Sequence, residues 1–275
     1  MENLGILKFF ADYIQSELGI IYVEANYFQL EHRLKDIATQ LGFSDIMMLH
    51  DSARSGISGE MRSLLLDLAT NNETSFFRDQ SIFKALSDYI IPDLIKSGRR
   101  PYLSIWSAAS SSGQEVFSIA MEIDQARQTN FDIPQFKILA TDVSDTILKR
   151  AQAAAYSQLE VQRGLPAKLM LHYFDKNDED KWVVKSFIRS GINFKKLNLL
   201  HSWGDIGTFD IVFCRNVLIY QSVENKIRII KEILNRINPG GYLILGAAES
   251  LYGLSHDFEQ HVSGTAVFYR KKADS

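Results

Sequence analysis

Four short, nearly continuous apolar runs in the second part of the chain restrict the fold more than any other feature of the sequence. They are YLSIW (Tyr102–Trp106), FKILAT (Phe136–Thr141), FDIVFC (Phe209–Cys214) and YLILGA (Tyr242–Ala247). Such runs, bounded by turn residues, are typical of strands buried on both faces of a parallel sheet. Helical patterns follow the first three runs, at Val116–Ala126, Ile147–Ala155 and Val223–Ile237. This alternation predicts an α/β domain with a doubly wound sheet.

The first seventy residues follow the helical period instead. Apolar residues recur at helical spacing from Leu4 to Leu18, from Leu30 to Leu41 and from Met61 to Leu68. Glycines punctuate the segments between these stripes. Residues 1–70 are therefore predicted to form a small all-α bundle with short turns.

One segment interrupts the alternation of the α/β part. Tyr173–Phe194 contains two aromatic and β-branched runs around a charged turn. This pattern predicts a small antiparallel β-subdomain, at about residues 157–196, inserted into the α/β domain. The predicted division is a bundle (1–70), a linker carrying the motif NETSFFRD (71–98) and the α/β domain (99–275). No low-complexity stretch separates these parts, so we expect them to pack closely.

Composition excludes several classes of protein. The chain has 275 residues, of which 46% are hydrophobic and 23% charged, as in ordinary globular proteins. A net charge of −3 argues against a general nucleic-acid binder. The single cysteine, Cys214, allows no intramolecular disulfide and is predicted to be a buried strand residue. We find no signal peptide, no apolar stretch long enough to cross a bilayer and no metal-ligand spacing among the six histidines. We therefore expect a cytoplasmic protein that does not insert into a membrane and holds no metal.

A loop of small residues follows the first predicted strand. It reads SAASSSGQE, Ser107–Glu115, with Gly113 before the helix and Ala109 where an earlier glycine would stand in a dinucleotide-binding loop. Asp142 follows the second strand, where a carboxylate is well placed to accept bonds from a ribose diol. Glu115 has two interpretations that local sequence does not separate. It either complements the dipole of the helix or faces a polar or cationic ligand.

Polar residues also follow the later strands. Leu197–Leu200 and Cys214–Tyr220 each place polar groups at a predicted strand end, and the pair Arg215 and Asn216 is expensive to bury without partners. Because ligands of open α/β sheets bind at the carboxyl ends of the strands, these residues predict a site there. The motif at Asn71–Asp79 mixes two adjacent phenylalanines with polar residues and an arginine. Its Phe76 fits either the inter-domain core or a pocket wall.

The motifs in this order resemble those of the chemotaxis-receptor methyltransferase (CheR) family. The resemblance rests on NETSFFRD, SGQE, ATDVS, NLL, FCRNVLIY and GGYLILGAAESL, and it covers nearly the whole chain. It implies a protein-glutamate O-methyltransferase that transfers methyl from S-adenosylmethionine to glutamates of membrane chemoreceptors, leaving S-adenosylhomocysteine. It implies the fold of an S-adenosylmethionine-dependent methyltransferase, and as partner the cytoplasmic helical domain of the receptors.

The resemblance also implies roles for individual residues. Arg78 and Tyr220 match residues placed near the transferred methyl group. The implied cofactor-binding residues are Asn72, Thr74, Arg78, Ala109, Gly113, Glu115, Asp142, Asn198, Leu199, Arg215 and Asn216. For Glu115 the resemblance favours the ligand-binding interpretation. The chain departs from the family at Ala109 and Gln114, where members commonly have glycine and glutamate. Ala109 does not readily adopt a positive φ.

Three further expectations concern partners. The hairpin of the predicted β-subdomain is short, which resembles the members that act without a C-terminal pentapeptide tether on the receptor. His32, Arg33 and Lys35 are candidates for receptor contact, although Glu31 and Asp36 alternate with them as in a solvated face. We expect a monomer. Two alternatives remain open: a cofactor-binding sensor or scaffold without turnover, and a methyltransferase for another protein or a small acid.

Overall fold

One seven-stranded sheet organises the chain. The computed structural model describes residues 3–98, 101–130 and 132–272. Its strands are β1 (Tyr102–Ala108), β2 (Gln135–Asp142), β3 (Ala155–Tyr156), β4 (Phe174–Lys176), β5 (Trp182–Val184), β6 (Ile192–Lys196), β7 (Phe209–Cys214), β8 (Ile237–Leu245), β9 (Phe258–Ser263) and β10 (Ala266–Lys271). The large sheet has the order β6-β2-β1-β7-β8-β10-β9. Neighbours from β6 to β8 are parallel, and β10 is antiparallel to β8 and β9. The predicted domain boundary at residue 99 and both chain ends, residues 1 and 275, lie outside the described residues.

Helices cover both faces of this sheet, which confirms the doubly wound α/β prediction. They are α1 (Leu4–Leu18), α2 (Tyr27–Gln40), α3 (Ile46–Ser55), α4 (Gly59–Ala69), α5 (Gln80–Ala85), α6 (Ile91–Lys96), α7 (Gln114–Thr129), α8 (Asp145–Ala153), α9 (Gln158–Gln162), α10 (Ala167–Tyr173), α11 (Ser186–Arg189) and α12 (Val223–Arg236). Two 3₁₀ turns, Glu24–Asn26 and Leu218–Tyr220, and one π-helical turn, Leu86–Ile90, complete the set. Ile105 and Phe213 face the core with α5 to α7, whereas Trp106 faces the core with α12. The strands are thus buried on both sides, as continuous apolar runs require.

The N-terminal bundle forms as predicted from helices α1 to α4. Its core contains Phe10, Ile14, Leu30, Leu34 and Leu65, all fully buried. The ends of the helices carry the expected residues: Asp45 and Ser58 cap α3 and α4, and Gly19 ends α1 at φ 69°. The bundle therefore has a hydrophobic core of its own.

Most of the segment that we predicted as a linker is helical and packed. Helix α5, the π-helical turn and α6 follow one another without a break from Gln80 to Lys96. Phe83, Leu86 and Leu94 are buried in the same core as the sheet. Their helical spacing was present in the sequence, and burial of this stripe explains why the segment joins the α/β core.

The small antiparallel sheet is composed differently from the prediction. It consists of β3, β5 and β4, so Ala155, predicted to end a helix, begins a strand instead. The residues 192–196, predicted to belong to this subdomain, pair in parallel with β2 at the edge of the large sheet. Gly191 permits this approach, because a Cβ atom there would lie 2.7 Å from the ring of Phe136. The charged turn between β4 and β5 is where the sequence placed it.

Candidate active site

A cleft opens where the carboxyl ends of β1, β2 and β7 face the N-terminal bundle. It has a volume of about 1020 Å³, including space that is open to solvent. Every predicted site residue except Gly113 lines it: Asn72, Thr74, Arg78, Ala109, Glu115, Asp142, Asn198, Leu199, Arg215, Asn216 and Tyr220. The structure therefore brings together residues that are up to 148 positions apart in the sequence, from Asn72 to Tyr220.

The loop after β1 has a left-handed backbone conformation at three positions. Ala109 has φ 59°, Ser111 has φ 50° and Gly113 has φ 95°. The loop is tied to the next strand, because the Ser110 N–H donates to the Thr141 carbonyl at 2.8 Å. Gly113 lies behind the cleft at the start of α7, where a Cβ would be 3.1 Å from the nearest side-chain atoms. Gly113 thus shapes the loop by close packing and does not itself line the cleft.

Asp142 is a buried carboxylate aimed at this loop. Its Oδ2 accepts the Ser111 N–H at 2.9 Å, and its Oδ1 accepts the Ser144 N–H at 3.1 Å. The side chain of Ser144 caps α8, so Asp142 is not needed as the cap. Burial raises the pKa of the Asp142 carboxyl, and the backbone N–H bonds oppose that rise. Each oxygen accepts one of these bonds and keeps a further lone pair for a hydroxyl donor.

Arg215 lies between two carboxylates at the floor of the cleft. Its side chain is 2% exposed, and Nη1 donates to Glu115 Oε2 at 2.9 Å. Nη2 donates to Asp79 and also to the carbonyl of Arg78 at 2.9 Å. The other Glu115 oxygen accepts the Ser107 hydroxyl at 2.8 Å. These bonds pair both terminal nitrogens of the buried arginine, and they join the NETSFFRD segment to the β7 end. The buried Nε of Arg215 has no hydrogen-bond partner among the described residues.

Asp79 was not among the predicted site residues. It stands directly after Arg78, has φ 60° and immediately precedes α5. A carboxylate beside an arginine-bearing motif looks like part of a charged surface turn in sequence. Only the fold shows that its partner is Arg215 in a strand end far along the chain.

The two phenylalanines of the motif anchor it in the interior. Phe76 is fully buried and packs edge-to-face on Tyr156 and Phe174, with ring centroids 5.0 and 5.5 Å apart. Phe76 is therefore core and not a pocket wall. The Phe77 N–H donates to the Ser118 hydroxyl at 2.9 Å. With these rings fixed, Arg78 extends to the cleft, where its Nη1 donates to the Glu73 carbonyl at 3.1 Å.

Tyr220 stands at the rim of the cleft, at the end of the 3₁₀ turn that follows β7. Its side chain is 39% exposed, and its hydroxyl accepts a hydrogen bond from Asn71 Nδ2 at 3.0 Å. Asn71 also lines the cleft and was not predicted as a site residue. The tyrosine hydroxyl keeps its own proton available for a further acceptor.

The N-terminal bundle supplies one wall of the cleft. Asn198 Nδ2 donates to the carbonyl of Glu17 at 2.7 Å, and Gln221 Nε2 donates to that of Leu18 at 2.8 Å. These two bonds satisfy carbonyls at the C-terminal end of α1, which otherwise lack helical partners. Leu18 and Ile20 consequently line the cleft. The amide of Asn198, one of the implied cofactor-binding residues, is used at least in part to dock the bundle.

The composition of the cleft suits a nucleoside cofactor with a charged amino-acid tail. Asp142 offers acceptors for a diol, and Glu115 offers acceptors for an ammonium group. Val143, Leu199 and Val217 supply apolar surface in the same cleft. Among residues 3–98, 101–130 and 132–272, no group of three His, Cys, Asp or Glu residues is placed to hold a metal ion. Within the same residues no helix is long and apolar enough to cross a membrane.

Comparisons with known proteins find relatives over nearly the whole chain. Residues 72–267 match the family model described as "CheR methyltransferase, SAM binding domain". The chain is 37% identical to "Chemotaxis protein methyltransferase Cher2" of Pseudomonas putida, over 98% of this chain and 100% of that protein. It is 38% identical to "Chemotaxis protein methyltransferase 1" of Pseudomonas aeruginosa, over 96% of this chain and 97% of that protein. It is 36% identical to "Chemotaxis protein methyltransferase" of Vibrio parahaemolyticus, over 96% of this chain and 95% of that protein.

Proposed function

This chain belongs to the CheR methyltransferase family, and from that premise we propose that it methylates glutamate side chains of chemoreceptors with S-adenosylmethionine as methyl donor. The observation that carries the proposal is one cleft that holds a buried carboxylate, Asp142, and a half-buried one, Glu115, with Arg78 and Tyr220 on its lining. The carboxylates suit the two polar ends of the cofactor. The arginine and the tyrosine suit an incoming carboxylate.

We assign the three parts of the cofactor to three parts of the cleft. Asp142 would hold the ribose hydroxyls, and Glu115 would hold the ammonium group of the amino-acid part. Leu199 and Val143 would give apolar surface for the adenine. Asn72, Thr74 and Asn216 line the remaining walls. The left-handed loop at Ala109 and Ser111 lines the same cleft and would offer backbone groups to the cofactor.

The reaction requires little acid–base chemistry from the protein. The bound cofactor supplies an activated methyl group. A glutamate carboxylate is already ionised at neutral pH and needs no general base. Arg78 donates a charge-assisted hydrogen bond to the acceptor carboxylate, and the hydroxyl of Tyr220 fixes its orientation. Holding the reacting atoms in line in this way is worth several kcal/mol, up to about 7–11 in the best model systems.

The charges of α2 do not support a dedicated receptor-binding surface there. Lys35 pairs with Glu31 at 2.9 Å, and His32 lies 3.5 Å from Asp36 on the same exposed helix. Arg33 donates to the carbonyl of Leu68. Pairs of this kind are typical of a solvated helix face. We propose that the receptor's cytoplasmic helical domain is met mainly at the cleft itself, by a cytoplasmic, monomeric enzyme.

We also propose that no receptor tether is required. The turn between β4 and β5 is closed by the Asn177 N–H to the Lys181 carbonyl at 2.9 Å, and it extends no further. A receptor that lacks a C-terminal pentapeptide should therefore be methylated as well as one that carries it. Comparing initial rates on the two receptors tests this.

Methyl transfer to receptor membranes, combined with calorimetry of S-adenosylhomocysteine, tests the function. We expect base-labile methyl ester on glutamate, a large fall in turnover for Arg78→Ala and Tyr220→Phe, and loss of ligand binding for Asp142→Ala. Arg54→Ala and Tyr252→Phe are matched controls, since both residues are exposed and lie outside the cleft lining. Binding without any transfer would favour the sensor alternative. Base-stable methylation would favour another substrate class.

A further inference from the structure

The segment GAAESL after β8 belongs to the family pattern but has no role in the site described so far. Its Glu249 accepts four backbone hydrogen bonds on one carboxylate. Oε2 accepts the N–H groups of Asn216 at 2.8 Å and Gly246 at 2.7 Å. Oε1 accepts those of Leu218 at 2.7 Å and Ile219 at 3.2 Å. This carboxylate therefore joins the end of β8 to the segment that leaves β7.

The segment held by Glu249 is the one that carries Tyr220. It begins at Asn216, which has a left-handed φ of 58°, and continues into the 3₁₀ turn. Three of the four N–H donors belong to this stretch of the backbone. Successive N–H groups that converge in this way form a binding site for an anion, and here the anion is a side chain of the protein.

Close packing shows that the arrangement is specific. A Cβ atom on Gly246 would lie 2.7 Å from Asn216 Nδ2 and 2.7 Å from Glu249 Oε2. Asn216, with its side chain near Gly246, also lines the cleft. Any shift of the Glu249 carboxylate is thus transmitted to Asn216 at one end of the segment and to Tyr220 at the other.

We propose that Glu249 is a positioning residue for methyl transfer, which fixes Tyr220 and Asn216 at the cleft through the backbone of residues 216–219. The proposal rests on the proposed function, because it assigns Tyr220 to orienting the acceptor carboxylate. Glu249 does not line the cleft, so it acts without contacting the cofactor or the acceptor.

Glu249→Gln is the informative substitution. Glutamine has the same shape, but one of its two terminal groups is an NH₂, which cannot accept a hydrogen bond. Either the Asn216 and Gly246 pair or the Leu218 and Ile219 pair must then face a donor. We expect hydrogen exchange at one of these pairs of amides to accelerate by at least about tenfold. We expect kcat to fall by about tenfold to a hundredfold, because a misplaced orienting group affects the transition state.

Cofactor binding separates positioning from general damage. The proposed main acceptors of the cofactor, Asp142 and Glu115, are held by other bonds, so the Kd for S-adenosylhomocysteine should change less than about threefold. Asp210→Asn is the matched control. Asp210 is also a buried carboxylate that accepts a backbone N–H, from Ser104 at 2.9 Å, but it stands at the opposite end of β7. This variant should keep kcat and the exchange rates of residues 216–219.

The outcomes are distinct. The inference is overturned if Glu249→Gln retains the wild-type kcat, or if Asp210→Asn loses kcat to the same extent at an equal fall in Tm. If Glu249→Gln does not fold, Glu249→Asp, which keeps the charge but is one methylene shorter, must show the fall in kcat and the faster exchange. If the wild-type protein transfers no methyl, the proposed function fails. Amide exchange in the variant still decides whether Glu249 holds the segment.

Discussion

Replacing Ala109 with glycine tests whether the cofactor loop stores backbone strain. Ala109 has φ 59°, a conformation that costs an L-residue with a Cβ about 1–2 kcal/mol. Glycine removes that cost but adds about 0.4–1 kcal/mol of entropy to the unfolded chain. Loss of a half-buried methyl costs about 0.4 kcal/mol more, half of the value for a buried methylene. The net change in the free energy of unfolding should therefore lie between about −0.4 and +1.2 kcal/mol.

Ala126→Gly is the matched control for this substitution. Ala126 is also half-buried but lies inside α7, where glycine costs about 1 kcal/mol in addition to the methyl. The two variants should thus differ by about 1–2.5 kcal/mol, or roughly 2–5 °C in Tm for a chain of this size, with Ala109→Gly the more stable. Thermal unfolding followed by circular dichroism measures the difference. Equal destabilisation of both variants would refute the assignment of strain to Ala109.

Ala109→Gly also shows whether the loop must move to bind the cofactor. We expect the cofactor to bind the loop in the left-handed conformation of this structure, so Ala109→Gly should leave the Kd for S-adenosylhomocysteine within about threefold of wild type. If binding required Ala109 to change into a strained conformation, glycine would tighten binding by about tenfold for each 1.4 kcal/mol of strain avoided. Calorimetry distinguishes these results. Tighter binding by Ala109→Gly would mean that Ala109 weakens cofactor binding, contrary to the expected unchanged Kd.

Two further predictions concern the buried charges of the cleft. Burial raises the pKa of Asp142 above its ordinary 3.8, so the folded state binds the proton more tightly than the unfolded state. The free energy of unfolding of the wild type, relative to that of Asp142→Asn, should therefore fall as pH rises from about 4 through the raised pKa. Urea unfolding at several pH values measures this difference. A difference that does not change with pH would contradict the prediction. Arg215→Met leaves Glu115 without its cation and should cost about 3–5 kcal/mol. Adding Glu115→Gln should restore part of the lost Tm, and a purely additive double variant would disprove the coupling.

The fold was predictable because burial on both faces leaves a signal in single strands. Each apolar run found in the sequence lies in a strand of the large sheet, and a helix follows each of the first three runs as the period of 3.6 residues predicted, although the second and third helices end one or two residues earlier than predicted. The edge strand β6 was assigned wrongly to the small subdomain, because an edge strand with half-exposed residues lacks that signal. Ala155 and Tyr156 were missed because two residues are too few to show any period.

The site was predictable to the extent that its residues stand in motifs or at strand ends. Asp142 and Arg215 could be found in this way, since parallel strands end at one edge of the sheet. Asp79, Asn71 and Glu249 could not. Their roles consist of hydrogen bonds to groups that are distant in sequence, and nothing in the residue types shows the partner in advance. Asp79 is the last residue of the recognised motif NETSFFRD and Asn71 directly precedes it, which would have been the best available clue.

The polar residues of the cleft fall into two groups, according to whether their hydrogen bonds are already made to other protein groups. Arg215 is paired with Asp79 and Glu115, and the Asp142 carboxylate is oriented by two backbone N–H groups, so protein groups hold these side chains in place. Their reorganisation on binding is therefore small, which lowers the cost of binding a cofactor. Within the described residues, the Arg78 guanidinium donates one hydrogen bond, to the Glu73 carbonyl, and the Tyr220 hydroxyl accepts one, from Asn71. Arg78 and Tyr220 can each donate a further hydrogen bond, and they are thus the two residues expected to contact the acceptor carboxylate. We therefore expect the cleft to act mainly by positioning a charged substrate.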